Sequence, residues 1–395
     1  MKRARIIALS FFLGMATTPV AAATVARTAL SYEQNEDRSN FINQVRKARK
    51  GDTESQWEVG STYVHLGDPV RALSMLQAAA AAGHPRAAAL LGWLYEEGRG
   101  TAKSIDEAKR WYLVAAEYGQ ADAMAALGRL SLQESTPGAQ DTAWQWFEKA
   151  ARFDHPVAQY HLGWILAQRT GAGRDDAGAY GWFLKAAKQG HVGAQVAVAT
   201  HLLFGRGVAK DSKAAGKWLQ HAAEKQDPVA NFLLGRLNED SGPAGLDKAR
   251  ASFRVAAAAG HREAQFVLGT LLAKSVVEAD RKEAAEWFAK AQEVGHKAAA
   301  NCLGELYRDG AGDLKQLVLA RSIFRRAAEQ GDANAMYNLA QLQNQGLGGP
   351  RDIGEALEWY TRAAEEGHEK ASEVLASLLN SSVKTTVFGL KGFWQ

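Results

Sequence analysis

The sequence contains little of what several protein classes depend on. It has 1 Cys and 8 Pro in 395 residues. A single cysteine cannot form an internal disulfide, so the fold must be stabilised by packing alone. The chain has 47 Lys and Arg against 43 Asp and Glu. Three of the basic residues, Lys2, Arg3 and Arg5, lie at the extreme amino terminus, in a segment that we expect to be removed. Because the remaining chain has almost no excess positive charge, we expect no binding to nucleic acid.

Catalytic and metal-binding motifs are also absent. The chain has no His-Glu-x-x-His, Cys-x-x-Cys, Gly-x-Ser-x-Gly or phosphate-binding Gly-x-x-x-x-Gly-Lys-Ser/Thr sequence. Adjacent carboxylates such as Glu96 and Glu97 fall at predicted helix ends, where we expect them to be solvated rather than opposed across a cleft. We therefore expect a protein that is not an enzyme and that holds no metal and no cofactor.

The amino-terminal residues 1–23 have the layout of a secretory signal peptide. Three basic residues precede an apolar stretch from Ile6 to Met15, and small residues end the segment at Ala23. The apolar stretch is about half the roughly 20 residues that a membrane span needs, so we expect cleavage and no integral membrane segment afterwards. The sequence therefore predicts a periplasmic protein, with an extracellular location as the alternative.

One short motif recurs along most of the chain. It is a Gly or a substitute, followed by His, Asp or Gln, two variable residues and a small residue. Its first residues are spaced 32 to 36 positions apart, at Gly51, Gly83, Gly119, Asp154, Gly190, Gln226, Gly260, Gly295, Gly331 and Gly367. Self-similarity at one period indicates a tandem array of structural repeats.

Each repeat is predicted to contain two helices, as in the unit from Gly83 to Gly119. Apolar residues recur at helical intervals after Gly83, and the first helix should end at Gly98. The second helix should begin near Asp106, a candidate N-cap, and end at Gly119. Glycine commonly lets a chain leave a helix in the left-handed conformation, which supports both ends.

Two columns of residues indicate how the helices pack. Alanine follows the repeat residue by four positions in nine units, and a large aromatic column lies on the second helix. The tryptophans of that column are Trp111, Trp146, Trp182, Trp218, Trp287 and Trp359. Small residues facing large ones give a core that is shared only between neighbours, which is typical of a solenoid. We therefore expect most of these tryptophans to lie in the core.

This alternation resembles the Sel-one-like repeat family, a relative of the tetratricopeptide repeats. The resemblance is carried by Leu91-Gly92 in a first helix, by the loop from Gly98 to Gly100, and by Trp359 to Gly367 in a second helix. It covers residues 41–379. It implies an all-α, right-handed α/α superhelical solenoid of about nine 36-residue helix-turn-helix repeats. The loop near Pro243 lacks the Gly-x-Gly sequence, so that connection should differ in shape.

The two ends of the array are interpreted separately. Residues 24–40 are polar and are predicted to form a flexible linker. Residues 41–50 are predicted to form a second helix without its first, which would cap the array. Residues 380–395 form an aromatic tail that contains Phe388, Phe393 and Trp394. This tail either covers the last repeat or contacts a partner.

Six of the ten histidines directly follow the repeat residue, at the start of a first helix. They are His84, His155, His191, His261, His296 and His368. Residues one repeat apart are spread along an array rather than focused on one point, so they are poorly placed to share a metal ion. We expect them to have a structural role at helix starts.

A candidate partner-binding stripe lies on the first helices, which line the concave surface of related solenoids. Positions three and ten after the repeat residue are seven apart and share one helical face. The candidate residues in these columns are Arg86, Trp93, Asp122, Arg129, Trp164 and Arg236. Tryptophan and arginine are enriched at protein interfaces. The alternative is that Trp93 and Trp164 pack between repeats.

These observations predict an exported, non-catalytic and monomeric scaffold or adaptor that binds an envelope-associated protein. The resemblance implies roles such as support of polysaccharide secretion or of envelope signalling. One alternative is a secreted factor that interacts with host or neighbouring cells. A lesser alternative is an enzyme that acts on the cell wall.

Overall fold

The computed structural model describes residues 39–169, 171–239, 242–310 and 315–377. These residues form an all-α protein with twenty helices and one 3-10 turn, Gly171–Gly173. The all-α prediction is confirmed. None of the helices in the described segments is long and apolar enough to cross a membrane. The predicted signal peptide, the linker up to residue 38, and the tail with Phe388, Phe393 and Trp394 lie outside the described residues.

The chain divides into two compact units, residues 1–191 and 192–395. The helices of unit 1 are α1 (39–49), α2 (Thr53–His65), α3 (Pro69–Ala81), α4 (Pro85–Glu97), α5 (Ile105–Glu117), α6 (Ala121–Leu132), α7 (Ala139–Ala151), α8 (Pro156–Gln168) and α9 (Asp176–Lys188). After α1, the even-numbered first helices and odd-numbered second helices form four packed pairs within the described part of this unit. The predicted terminal helix is thus present as α1, which begins two residues before Phe41.

The helices of unit 2 are α10 (Val192–Phe204), α11 (Ser212–Ala223), α12 (Pro228–Glu239), α13 (Pro243–Ala258), α14 (Arg262–Ala273), α15 (Glu278–Glu293), α16 (Lys297–Asp309), α17 (Leu317–Glu329), α18 (Ala333–Gln345), α19 (Ile353–Glu365) and α20 (369–377). They form five further pairs, followed by α20. The described residues therefore contain the nine helix pairs that the period predicted. The handedness of the superhelix stays a prediction.

Four helices begin at a repeat histidine whose side chain caps the helix. Nδ1 of His84 accepts a hydrogen bond from the backbone N–H of Ala87 at 3.1 Å. The same bond forms at three other repeats, with donors Ala158, Ala264 and Ala371 for His155, His261 and His368. Such a bond satisfies one of the backbone N–H groups that a helix leaves unpaired at its start. The structural role predicted for the histidines is confirmed at these four positions.

One predicted helix start was wrong. Helix α5 is capped by Ser104, whose hydroxyl accepts the backbone N–H of Glu107 at 3.3 Å, and Asp106 lies inside the first turn. The reason is backbone geometry, because an N-cap residue must be extended and Ser104 has φ −147° and ψ 108°. Asp106 then contributes a negative charge near the positive end of the helix dipole.

The left-handed residue that ends a helix is present where the motif predicts it. Gly98 ends α4 with φ 68°. The two positions at which another residue replaces the repeat glycine, Asp154 and Gln226, have φ 55° and 58°. The repeat therefore requires a left-handed backbone at this position even where no glycine supplies it, at a steric cost that glycine avoids.

In most pairs, the core contains a side chain of the second helix that packs directly on a glycine of the first. A Cβ atom on Gly163 would lie 2.8 Å from the ring of Phe183, too close for an unshifted structure. The same contact joins Gly92 with Tyr112, Gly128 with Phe147, Gly235 with Phe253, Gly269 with Phe288, and Gly304 with Phe324. Absence of a side chain at the glycine is what allows the two helices to approach this closely.

The prediction that most of the tryptophan column lies in the core is confirmed for Trp287 and Trp359, which are buried, while Trp111, Trp146 and Trp182 pack against the core without being buried. Trp111, Trp146, Trp182 and Trp218 are only half-buried, whereas the neighbouring residue one position later is buried in each case. A tryptophan on the flank of the helix can contact a cation of the next turn: Lys149 Nζ lies 4.1 Å from the Trp146 ring centroid, and Lys185 Nζ lies 4.1 Å from that of Trp182. Each of these second helices is thus rotated so that the residue after the tryptophan, rather than the tryptophan itself, faces the first helix of the pair.

We expect Gly163→Ala to destabilise unit 1 by about 1–3 kcal/mol, because the added methyl group overpacks the contact with Phe183. Gly181→Ala is the matched control. Gly181 lies in α9 of the same helix pair, and a Cβ there would meet no atom within 4 Å. This control should gain about 0.5–1 kcal/mol from the higher helix propensity of alanine. Urea unfolding followed by circular dichroism measures both, and equal midpoints for the two variants would contradict the prediction.

We also expect acid to weaken the fold through His161. Its ring stacks on Phe147 with centroids 4.7 Å apart, and burial, followed by nearby His191 and Arg129, lowers its pKa to about 4. An unfolded histidine has a pKa near 6.5, so the neutral ring contributes its full share of stability above that pH. That share, up to about 3 kcal/mol, is lost as the pH falls from 6.5 towards 4.

His161→Leu tests this contribution, since Leu90 occupies the same repeat position in α4. The variant should lose less unfolding free energy than the parent protein between pH 7 and pH 4.5, as measured by urea unfolding. Identical pH profiles for the two proteins would show that His161 does not contribute.

Candidate functional site

Unit 1 contains a groove with a volume of about 500 Å³. Its walls come from the first helices α2, α4, α6 and α8. The groove is lined by Trp57, Arg86, Ala89, Leu90, Trp93, Tyr112, Gln120, Asp122, Ala123, Ala125, Ala126, Arg129, His155 and Val157. Four of the six predicted stripe residues, Arg86, Trp93, Asp122 and Arg129, are therefore brought together at one place.

The other two predicted residues lie elsewhere. Trp164 is 38% exposed on α8 but does not line the groove, because the groove reaches only the first turn of that helix. Arg236 lies on α12 in unit 2, where its Nη1 is 2.6 Å from Oε2 of Glu239. Equal spacing in the sequence thus placed these side chains on comparable faces but not in the same groove.

Arg86 lies at one end of the groove on an indole ring. Its Cζ atom is 4.8 Å from the ring centroid of Trp57. The other contacts of Trp57 include a stacked His84 ring at 5.5 Å, and His84 Nε2 lies 3.1 Å from Oε2 of Glu54. A guanidinium that lies over an indole is held by a cation–π attraction.

Sequence reasoning missed Trp57. It lies six positions after its repeat residue, a column that the stripe did not include. Aromatic residues of this column stack on the histidine of the next repeat at Tyr160 with His191, Phe232 with His261, Phe266 with His296, and Tyr337 with His368. The recurrence of an aromatic residue in this column, one repeat before five of the six histidines, was the signal that could have identified it.

The expectation that Glu96 is solvated was wrong. Glu96 is buried in the last turn of α4, where it faces the neighbouring helices α5 and α6. The Tyr112 hydroxyl donates a hydrogen bond to Glu96 Oε2 at 2.9 Å, and Arg129 Nη2 donates to the same atom at 2.7 Å. Burial, and then the Glu96 charge, raises the pKa of Tyr112 above its ordinary value. Glu96 is thus the internal counterion of Arg129.

Asp122 is held by a histidine of the next repeat. His155 Nε2 lies 3.0 Å from Asp122 Oδ1, while its Nδ1 accepts the backbone N–H of Ala158 at 3.3 Å. Because Nδ1 acts as an acceptor, the ring proton lies on Nε2 and is donated to the carboxylate. The histidine that caps α8 therefore also orients an acidic side chain at the groove.

Trp93 lies in the wall formed by α4. It is half-buried and packs against the core of unit 1, and the guanidinium of Arg99 lies 5.2 Å from its ring centroid. The two predictions for this residue, core packing and exposure at a binding surface, each describe part of its environment.

Unit 2 contains a pocket of about 320 Å³ between α16, α18 and the start of α20. Its walls include Glu305, Arg308 and Asn338. Buried Asn338 donates to Glu305 Oε1 at 3.2 Å and accepts from Arg308 Nη1 at 2.6 Å. Sequence reasoning did not find this pocket. The signal was Asn338 itself, because the matching residues in α4 and α14 are the apolar Leu90 and Val267.

The Cys302 thiol of unit 2 is not activated for nucleophilic chemistry. Cys302 is half-buried against the core of the unit, and burial, followed by Glu305, raises the pKa of its thiol to about 11. A thiol with such a pKa is protonated at neutral pH. Among the described residues, no three His, Cys, Asp or Glu side chains are grouped to hold a metal ion.

Paired helices of about 36 residues, each sharing its core with its neighbours, define an α-helical repeat protein. The chain belongs to the Sel1-repeat family. The Sel1 repeat matches residues 54–84, 85–119, 121–152, 156–191, 192–227, 262–296, 297–332 and 333–368. The unmatched stretch holds α12 and α13, which still form a helix pair although their connection near Pro243 departs from the repeat sequence.

Two solved structures are similar to this protein. A protective antigen present in uropathogenic Escherichia coli strains, which displays an SLR fold, is 26% identical, with a TM-score of 0.64 over 86% of this chain and 82% of its own. A Sel1 repeat protein from Oxalobacter formigenes is also 26% identical, with a TM-score of 0.53 over 60% of this chain and 96% of its own. No curated protein matches the sequence.

We expect Glu96→Gln to reduce the stability of unit 1 by about 1–3 kcal/mol, because Arg129 then loses the charged partner of a partly buried hydrogen bond. Glu97→Gln is the control, since Glu97 is the exposed neighbour of Glu96. This control should change stability by less than about 0.5 kcal/mol. Thermal unfolding of both variants measures the difference, and a parent-like Glu96→Gln protein would refute the counterion role.

Proposed function

We propose that the protein is an exported, non-catalytic, monomeric scaffold that binds a partner protein of the bacterial envelope through the groove of unit 1. The observation that carries the proposal is the convergence of Arg86, Trp93, Asp122 and Arg129 on that groove. Tryptophan and arginine contribute much of the binding energy at protein interfaces, especially in concave sites that exclude water.

The polar side chains of the groove are already oriented. Arg129 is held by Glu96, Asp122 by His155, and Arg86 by the ring of Trp57. A partner would therefore lose little side-chain entropy on the protein's side when it binds. This preorganisation supports a binding surface rather than a solvated helix face.

The same contacts support a non-catalytic role. A general acid or base must be able to exchange a proton with a substrate. The Glu96 carboxylate accepts hydrogen bonds from Tyr112 and Arg129, and that of Asp122 is engaged by His155. The buried Glu96 carboxylate is thus committed to structure, which argues against a role for it in a cell-wall-active enzyme.

Export to the periplasm is supported by the signal-like residues 1–23, and the resemblance to the repeat family suggests a place in polysaccharide secretion or envelope signalling. The second candidate is a secreted factor that interacts with host or neighbouring cells. It is favoured by one observation, that a structural relative is described as a protective antigen of uropathogenic strains.

Photo-crosslinking in living cells tests the proposal. A benzophenone amino acid replaces Val157, which lines the groove and is 37% exposed. The control replaces Leu113, which is 42% exposed on the second helix α5 and does not line the groove. We expect one discrete product from position 157 alone, identified by mass spectrometry as an envelope protein, with the protein in the periplasmic fraction.

Equal products from both positions, or none from position 157, would refute groove binding. Recovery of the protein from the culture medium, with a product formed on host or neighbouring cells, would instead favour the secreted factor.

A further inference from the structure

We propose that the groove of unit 1 recognises an acidic segment of its partner, in which an Asp or Glu lies within three residues of an aromatic or aliphatic side chain. This inference rests on the proposed function, because it names the chemistry that the same groove accepts.

Two arginines, Arg86 and Arg129, line the groove. Arg129 is paired with buried Glu96. Asp122 is exposed and keeps its negative charge, because His155 donates to it from Nε2 while accepting at Nδ1 and so carries no positive charge. Arg86 is exposed, and no carboxylate of the described residues lies within ion-pair distance of it. Arg86 is therefore the arginine of the groove that has no carboxylate partner, and a carboxylate of a bound segment is its complementary group.

Arg86 is oriented by the indole ring of Trp57. Its guanidinium lies 4.8 Å from the Trp57 ring centroid, so one face of the charge is covered by an apolar surface. Stacking leaves the N–H edge of a guanidinium available, and that edge can hold a carboxylate through two parallel hydrogen bonds. Exclusion of water from one face strengthens the attraction relative to a fully solvated ion pair.

An apolar surface lies next to the Arg86 guanidinium. Leu90 and Trp93 follow Arg86 on α4 at helical spacing, and Ala126 faces them from α6. Seven residues of helix span about 10 Å, the length of about three residues of extended chain. A carboxylate at Arg86 would thus place the next side chains of a bound segment on this apolar surface, which favours aromatic or aliphatic residues there.

Arg99 extends the same preference to the far end of the surface. It is exposed and lies 5.2 Å from the Trp93 ring centroid, and the described residues provide it with no ion-pair partner. Both tryptophans of the groove therefore carry a guanidinium that is available to an acidic chain.

The pocket of unit 2 lacks this arrangement. Its arginine, Arg308, is engaged by Asp309 at 2.7 Å and by Asn338. Glu305 and exposed Lys370 add one charge of each sign to its walls. An arginine that stacks on a tryptophan and has no carboxylate partner is therefore a feature of the groove of unit 1 and not of this pocket.

Selection from a phage-displayed library of random peptides on the purified full chain tests the inference. We expect the enriched sequences to contain Asp or Glu within three positions of Trp, Phe or Leu. The affinity of one such peptide, labelled with fluorescein, is then measured by anisotropy for the parent protein and for Arg86→Glu. We expect the variant to bind at least about tenfold more weakly, because an attraction becomes a repulsion.

Two controls separate this effect from net charge and misfolding. Lys213→Glu makes the same charge change at an exposed residue of α11 in unit 2 and should leave the affinity unchanged. Circular dichroism of Arg86→Glu should match the parent protein, since Arg86 is exposed. Selection on Arg86→Glu should enrich Lys or Arg in place of the acidic residue.

Enrichment of neutral or basic peptides on the parent protein, no enrichment, or equal affinity for Arg86→Glu would overturn the inference. A cross-link at position 157 to an envelope protein whose captured segment lacks acidic residues would also overturn it, yet leave the scaffold role intact. Acidic peptides that bind the groove, with no cross-link in cells, would support the recognition chemistry and contradict the envelope role.

Discussion

The contact between a ring of one helix and a glycine of its partner is the constraint on which the rest of the structure depends. Because Phe183 occupies the space that a side chain of Gly163 would take, α8 and α9 approach closely with the ring of Phe183 against the backbone of Gly163. The same contact between a ring and a glycine recurs in five other pairs and determines which face of those first helices is directed away from the core. The position of the candidate groove therefore depends on a buried contact of the repeat.

Residues on that outward face are free to vary, and the two units use this freedom differently. In unit 1 a buried Glu96 neutralises Arg129, and a histidine that caps the next helix engages Asp122. In unit 2 the wall of the corresponding pocket is held by hydrogen bonds of Asn338 with Arg308 and Glu305. One scaffold thus supports an aromatic and cationic groove in one unit and an amide-lined pocket in the other, which is how a repeat fold acquires specificity without a catalytic motif.

Most of the fold could be predicted, whereas only part of the candidate site could. The period located the helix pairs, and the left-handed residues marked helix ends, because both depend on residues close in sequence. Spacing identified Arg86, Trp93, Asp122 and Arg129 but also Trp164, which lies outside the groove. Spacing places a residue on a face of its own helix but does not say how far the groove extends along it.

The sequence by itself determined the class, the repeat length, the helix boundaries within a few residues, and the role of four of the six repeat histidines as caps. Only the tertiary structure decided that Glu96 is buried rather than solvated and that the core ring lies one position after the tryptophan. The physical reason is the range of the interactions. A cap joins residues three apart, whereas the bond between Glu96 and Arg129 joins residues 33 apart, and its existence depends on how two neighbouring repeats pack.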